Sequence, residues 1–106
     1  MFPSLPALAL CLSGFLGLPM PNTMPTVYEV SSAKVQIACS TGSHNRVIYG
    51  CYRPWSQEIY VDAGRVKKAR TLAHEMAHHI VSQAGADVPH REIYWAAEKA
   101  ETWCRQ

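Results

Sequence analysis

The chain has 106 residues, of which 48% are hydrophobic and 17% charged. This length allows one small domain, and this composition excludes disorder over most of the chain. The formal net charge at pH 7 is only +2, whereas proteins that bind the nucleic-acid backbone carry clustered basic charge. We therefore expect a single folded domain with no nucleic-acid partner.

The chain opens with an apolar segment. No Asp, Glu, Lys or Arg occurs before Glu29, and residues 5–18 form an apolar run, LPALALCLSGFLGL. This run has the length of a signal-peptide core and is short for a membrane span. We interpret residues 1–25 as a signal peptide or membrane anchor and residues 26–106 as the folded domain. That interpretation predicts a secreted or periplasmic protein, whereas a cytoplasmic protein would keep the run as a helix packed on the domain.

The pairing of the cysteines depends on whether residues 1–25 are removed. Cleavage of a signal peptide would remove Cys11 and leave Cys39, Cys51 and Cys104. An exported domain could join two of these three and leave one free thiol, and the sequence leaves their pairing open. The absence of a Cys-x-x-Cys pair argues against a thiolate zinc site.

Four short β-rich runs follow the apolar segment. They cover residues 27–30, 35–39, 47–52 and 58–61. Ser31 and Ser32 separate the first two runs and predict a hairpin between them. Connections this short favour a small antiparallel or mixed sheet.

The hydrophobic period then changes from two residues to 3.6, which predicts two helices. The first begins near Asp62 or Gly64 and ends at Gly85, a residue type that commonly caps helices. The second is expected from about Pro89 onward, with Asp87 as its candidate N-cap. We therefore expect an α+β fold in which a small sheet precedes two antiparallel helices.

The first predicted helix contains an HExxH motif, His74-Glu75-Met76-Ala77-His78. Residues i and i+4 are neighbours on a helix, so both imidazoles can face one metal ion. Glu75 is rotated by about 100° from His74 and can therefore reach a metal-bound water without ligating the metal. The motif predicts a Zn²⁺ site with His74 and His78 as ligands and Glu75 as the catalytic base.

A catalytic zinc site needs a third protein ligand, and the sequence offers Glu92, Glu98, Glu101 and His90. If the helices are antiparallel through a short turn at residues 85–88, position 96 lies opposite Met76. Side chains lean towards the N-terminus of their own helix, so Glu98 would reach back to the metal. We favour Glu98 over the other two glutamates. His90 follows His78 by 12 residues and would need a longer loop to approach.

With Glu98 included, the motif resembles the active site of the gluzincin metallopeptidases, in which a glutamate on a following helix is the third zinc ligand. Glu98 stands 20 residues after His78, the separation of thermolysin-type members. The size of the chain makes it more similar to the single-domain minigluzincins and other very small bacterial or phage zincins. The resemblance covers residues 47–104 and implies a zincin-like fold. The chain departs from the thermolysin group because no Asn-Glu-x-x-x-Asp block surrounds Glu98.

The resemblance and the chemistry of such a site predict a zinc-dependent metallopeptidase that acts on a peptide or protein substrate. Glu75 would take a proton from the attacking water and pass it to the leaving amine. The strand at residues 58–61 could pair with an extended substrate, and His79, about 100° from His78, suits a supporting or surface role. The candidates for a second donor to the oxyanion are Tyr94, His90, Tyr49 and Tyr60.

The alternative function is a non-catalytic zinc-binding or interaction module on the same fold. Glu75 speaks against it, because a purely structural zinc site gains nothing from a glutamate that does not ligate the metal. The oligomeric state and the substrate are left open by the sequence, and membrane association would depend on residues 1–25.

Overall fold

The computed structural model describes residues 2–39 and 47–105, which form four helices and a three-stranded sheet. In chain order the elements are α1 (Leu5–Leu16), β1 (Thr26–Val30), α2 (Ser32–Cys39), β2 (Gly50–Arg53), β3 (Glu58–Asp62), α3 (Lys68–Ala84) and α4 (His90–Trp103). The α+β class and the mixed sheet predicted from the sequence are confirmed.

The sheet places β3 in its centre. The strand order is β1-β3-β2, with β1 parallel and β2 antiparallel to β3. Both sides of β3 are therefore hydrogen-bonded within the sheet, so the prediction that residues 58–61 offer an edge to a substrate is wrong. An incoming strand needs unpaired N–H and C=O groups, and β1 and β2 are the strands at the edges.

The predicted strand at residues 35–39 is wrong, because this segment belongs to α2. Val35 is fully buried and Cys39 is 7% exposed, whereas Ile37 between them is 79% exposed. A strand would place all three on one face, but a helix places only i and i+4 together. Ser31 Oγ accepts a hydrogen bond from the Lys34 N–H at 3.3 Å, which is the bond of a helix N-cap.

Helix α1 shares one hydrophobic core with β3, α3 and α4. Leu8, Ala9 and Leu12 are fully buried, and a disulfide joins Cys11 of α1 to Cys104 at the end of α4. This is the arrangement of the packed-helix alternative, and the interpretation of residues 1–25 as an export signal stays a prediction. No helix in the described residues is long and apolar enough to span a membrane.

All four cysteines are paired. The second disulfide joins Cys39 to Cys51 and so ties α2 to β2. With Cys11 present beside Cys104, where α1 packs against α4, no thiol is left free. The expectation of one free thiol applied to a chain that had lost Cys11 with a signal peptide, and it stays a prediction. Two disulfides are compatible with a protein of an oxidising compartment.

Helices α3 and α4 occupy the two predicted helical segments. Gly85 ends α3 with a φ of 62°, a left-handed conformation that favours glycine. Pro89 rather than Asp87 precedes the first residue of α4, and residues 86–89 form an irregular connection between the two helices. This connection determines which residue of α4 meets the HExxH motif.

Candidate metal centre

Three histidine side chains converge between α3 and the start of α4. The Nε2 atoms of His74 and His78 are 3.2 Å apart. The Nε2 atom of His90 lies 3.3 Å from that of His78 and 3.1 Å from that of His74. Among the residues that the structure describes, these three form the one group of histidine, cysteine or carboxylate side chains placed to hold a metal ion.

The size of this triangle fits a tetrahedral transition-metal ion. With zinc–nitrogen bonds of about 2.0–2.1 Å, two ligands of a tetrahedral ion stand about 3.3–3.4 Å apart. The three Nε2 separations of 3.1–3.3 Å are close to this value. Three protein ligands would leave the fourth position of the ion open, as a catalytic site requires.

The protonation chemistry of the cluster also favours a bound cation. Burial, followed by the neighbouring His78 and His90, lowers the pKa of His74 from 6.5 to about 4. Burial and His90 lower the pKa of His78 as well. At neutral pH both rings are therefore uncharged, and each has only one N–H to donate. A cation between the three Nε2 atoms would satisfy their lone pairs together.

The structure does not bring Glu98 into this group, and His90 stands in its place. Glu98 is exposed on α4, two helical turns or about 12 Å beyond His90 along the axis. The irregular residues 86–89 can span about 13 Å, enough to run back along the last two turns of α3. Helix α4 therefore begins level with the HExxH motif, and its first residue meets the two histidines.

The other two glutamates considered as ligands are also outside the group. Glu92 is exposed in the first turn of α4. Glu101 accepts hydrogen bonds from Arg70 Nε at 2.9 Å and from Nη2 at 2.6 Å. This ion pair joins α4 to α3.

Glu75 lies beside the histidine cluster in a buried position. It is 8% exposed, and its burial raises the pKa of its carboxyl group from 4.5 to about 8. Glu75 lines both clefts that flank the cluster, and no described residue forms a hydrogen bond with its carboxyl group. A nearby cation favours the ionised form of a carboxyl group, so a metal ion in the cluster would make Glu75 a competent base.

His79, next to the motif, has a structural role on the other side of α3. Its ring is fully buried, and its Nε2 lies 2.6 Å from the carbonyl oxygen of Thr23. A carbonyl oxygen only accepts, so Nε2 donates to Thr23, and the second ring nitrogen, Nδ1, forms a hydrogen bond with the Tyr52 hydroxyl at 2.7 Å. His79 therefore fastens α3 to β2 and to the segment before β1.

Tyr94 is the tyrosine nearest to the histidine cluster. Its ring centroid lies 4.6 Å from that of His74 and 4.7 Å from that of His90. Tyr60, by contrast, stacks on Tyr28. Of the four residues predicted to supply a second donor, His90 belongs to the metal cluster and Tyr94 contacts that cluster. The contacts of Tyr94 could not be found from the sequence, because they depend on the register of α4 against α3.

Two clefts meet at the centre. A cleft of about 460 Å³ runs along β2 past the cluster, and its lining includes Tyr52, Pro54, His78 and Val81. A second cleft of about 410 Å³ lies at the N-terminal half of α3, and its lining includes Tyr49, Arg65, Lys67 and Tyr94. Gly50 and Glu75 line both clefts, so the pair marks the point where they meet.

Gly50 allows β2 to lie close against α3. A Cβ atom at this position would come within 2.6 Å of Thr71 Cγ2 and 2.7 Å of the Tyr60 carbonyl oxygen. Any larger residue would therefore push the strand away from the helix that carries the motif. The glycine keeps the edge of β2 beside Glu75.

The main chain of β2 offers hydrogen-bonding groups at this edge. Asp62 N–H bonds to the Tyr49 carbonyl oxygen, so in the antiparallel register residues 49, 51 and 53 face β3. The N–H and C=O groups of Gly50 and Tyr52 point to the opposite side, where no described residue pairs with them. These are the groups to which an extended chain could bond.

Comparisons of this chain with protein-family models, with curated proteins and with solved structures found no match. The function is therefore inferred from the geometry of the site.

Proposed function

We propose that this protein is a metal-dependent peptidase that uses zinc. The observation that carries the proposal is the convergence of three histidine side chains beside a buried glutamate at the junction of two clefts. A zinc ion held there would lower the pKa of a bound water to about 7 and polarise the carbonyl group of a substrate. The resemblance of the HExxH motif to zincins supports the same function.

Glu75 is the general base of the proposed reaction. Among the described residues that line the two clefts, it is the one with a carboxyl group. It follows His74 directly in α3, and its position on the helix would leave it beside the metal ligands without ligating the metal. It would accept a proton from the attacking water and transfer it to the leaving amine, so that one residue serves both halves of the hydrolysis.

The open edge of β2 is the proposed binding site for an extended substrate. A peptide in an extended conformation can add to an open sheet edge and bond to its main chain. Gly50 and Tyr52 supply main-chain groups that have no hydrogen-bond partner among the described residues, and Gly50 lines both clefts. A peptide bound in this way would pass Glu75 and the three histidines.

Tyr94 is the proposed second donor to the developing oxyanion. Its ring packs on His74 and His90, and its side chain lines the cleft beside Glu75. No described residue forms a hydrogen bond with its hydroxyl group, which leaves that group free to donate to a substrate.

We place the protein in an oxidising compartment outside the cytoplasm. The two disulfides support this placement. Because Cys11 and the buried side chains of α1 belong to the core, the protein is expected to act there with residues 5–16 in place.

The test compares hydrolysis of a degenerate peptide mixture by the parent and by Glu75→Gln. The parent loaded with zinc should cleave peptides, and the variant should be slower by about 10²–10⁴-fold with the same zinc content. Glu98→Gln, an exposed change of the same kind on α4, is the matched control and should retain full activity. Zinc binding without cleavage by the parent would favour the non-catalytic module, and full activity of Glu75→Gln would contradict the proposed mechanism.

A further inference from the structure

The cleft at the N-terminal half of α3 is lined by basic side chains. Arg65, Lys67 and Arg70 all contribute to its lining, together with two tyrosine rings and His74. Among the described residues that line the cleft along β2, none is a lysine or an arginine. Over the described part of the chain, the two sides of the candidate centre therefore differ in charge.

Two of these cations have no acidic partner among the described residues. Arg70 is neutralised by Glu101 at 2.6 Å, and Lys68, which is outside the cleft, pairs with Glu29 at 3.1 Å. Neither Arg65 nor Lys67 forms such a pair within the described part of the chain. The cleft thus holds about two uncompensated positive charges next to the candidate metal.

Arg65 is held in a defined position. Its guanidinium carbon lies 3.6 Å from the centre of the Tyr49 ring, a cation–π contact. Stacking leaves the edge of the planar guanidinium group free to donate two parallel hydrogen bonds, the geometry that matches a carboxylate. Tyr49 directly precedes β2, so this cation stands at the N-terminal end of the edge strand.

The direction of β2 determines which side of the scissile bond would lie in this basic cleft. The first cleft follows β2 towards its C-terminal end, past Tyr52 to Pro54, and the basic cleft lies at its N-terminal end, at Tyr49. A peptide bound antiparallel to β2 would therefore run from the first cleft to the basic one. Its residues on the C-terminal side of the cut would enter the basic cleft.

We propose that Arg65 and Lys67 form a specificity subsite for a substrate carboxylate on the C-terminal side of the scissile bond. This inference rests on the proposed peptidase function. The carboxylate is that of an Asp or Glu side chain or of the substrate's own C-terminus, since both present the same two oxygens to the guanidinium group.

The kinetic test uses matched peptides that carry Glu or Gln at the two positions before or the two positions after the cut, with free or amidated C-termini. The parent should cleave peptides with a carboxylate after the cut about tenfold faster in kcat/KM than their neutral partners. The double variant Arg65→Gln/Lys67→Gln should lose most of this preference. Comparison of the Glu series with the free-terminus series tells which carboxylate is recognised.

Lys34→Gln is the matched control, because Lys34 is exposed on α2 and lines neither cleft. It removes one positive charge and should keep the preference of the parent. Cleavage of peptides without a preference for a carboxylate after the cut would overturn the subsite and leave the peptidase function intact. A preference for a carboxylate before the cut would overturn it equally.

A binding experiment separates the two proposals. The Glu75→Gln variant is titrated with the Glu and Gln peptides, and dissociation constants are measured by calorimetry. Tighter binding of the Glu peptides that disappears on adding Arg65→Gln/Lys67→Gln supports the subsite even if the parent cleaves nothing, in which case only the peptidase proposal fails. Equal binding of both peptides, or tighter binding of a short oligonucleotide than of either, would contradict the carboxylate subsite.

Discussion

His90 and His74 bring their Nε2 atoms to within 3.1 Å of each other, although 16 residues separate them in the chain. His74 lies within α3, whereas His90 is the first residue of α4. The contact therefore requires the irregular residues 86–89 to return along α3 before α4 begins. It makes the candidate metal centre a junction of two helices and couples metal binding to their packing.

The raised pKa of Glu75 should make the stability of the metal-free protein depend on pH. Glu75 ionises near its usual pKa of 4.5 in the unfolded chain and near 8 in the folded protein, so between these values the folded state holds the extra proton. The free energy of unfolding should therefore fall as pH rises from 4.5 to 8. The lowered pKa of His74 makes the free energy of unfolding rise with pH between pH 4 and 6.5. This contribution is common to the parent and to a variant changed only at Glu75.

Glu75→Gln removes the titrating group and isolates its contribution. Between pH 5 and 8 the variant should gain about 2–4 kcal/mol relative to the metal-free parent, as measured by urea unfolding in the presence of a chelator. Glu98→Gln on the exposed face of α4 should follow the parent. Parallel pH curves for Glu75→Gln and the parent would show that Glu75 is not held in its protonated form.

The hydrogen bond between Tyr52 and His79 should stabilise the attachment of α3 to β2. Tyr52→Phe leaves the buried Nδ1 of His79 without a donor, which should lower the free energy of unfolding by about 1–3 kcal/mol. Tyr60→Phe is the control, since the Tyr60 ring stacks on Tyr28, and it should cost less than about 0.5 kcal/mol. Equal costs for the two variants in denaturant titrations would show that the hydrogen bond between Tyr52 and His79 does not stabilise the fold.

The disulfide pattern predicts a difference between the two bridges. Peptide mapping without reductant should recover Cys11 with Cys104 and Cys39 with Cys51. The pairs are separated by 93 and 12 residues, so replacing the first pair by serines should cost about 2 kcal/mol more than replacing the second. Recovery of Cys11 as a free thiol would show that α1 is not fixed to α4.

The sequence predicts the elements whose patterns are local. Strands β1, β2 and β3 overlap the predicted segments and extend one residue beyond them, and helices α3 and α4 lie within the predicted segments. Their periodicity and the capping residue Gly85 depend only on nearby residues. The segment at residues 35–39 is rich in β-branched and apolar residues and still forms a helix. Its tertiary partners are not visible in a local pattern. Cys39 forms a disulfide with Cys51, Gln36 Nε2 donates to the Ile48 carbonyl oxygen, and Gln36 Oε1 accepts from the Ile48 N–H.

One part of the candidate site is likewise predictable from local sequence, and the other part depends on tertiary packing. The i, i+4 spacing determines the approach of His74 and His78 within one helix, and it places Glu75 beside them. The third histidine depends on where α4 begins and how it crosses α3. A short turn between antiparallel helices would favour Glu98 as the third ligand. In the structure, the irregular residues 86–89 run back along α3, so His90 lies at the cluster instead. The basic cleft likewise depends on tertiary contacts between the start of α3, β2 and α4.

A comparison of the zinc affinities of His90→Ala and Glu98→Ala tests the metal centre most directly. With competition against a chromogenic chelator at neutral pH, the parent should bind one zinc ion per chain. His90→Ala should weaken binding by at least about 100-fold, because one of three ligands is lost, while Glu98→Ala should stay within about threefold of the parent. Zinc affinity that survives in His90→Ala and collapses in Glu98→Ala would contradict the three-histidine centre.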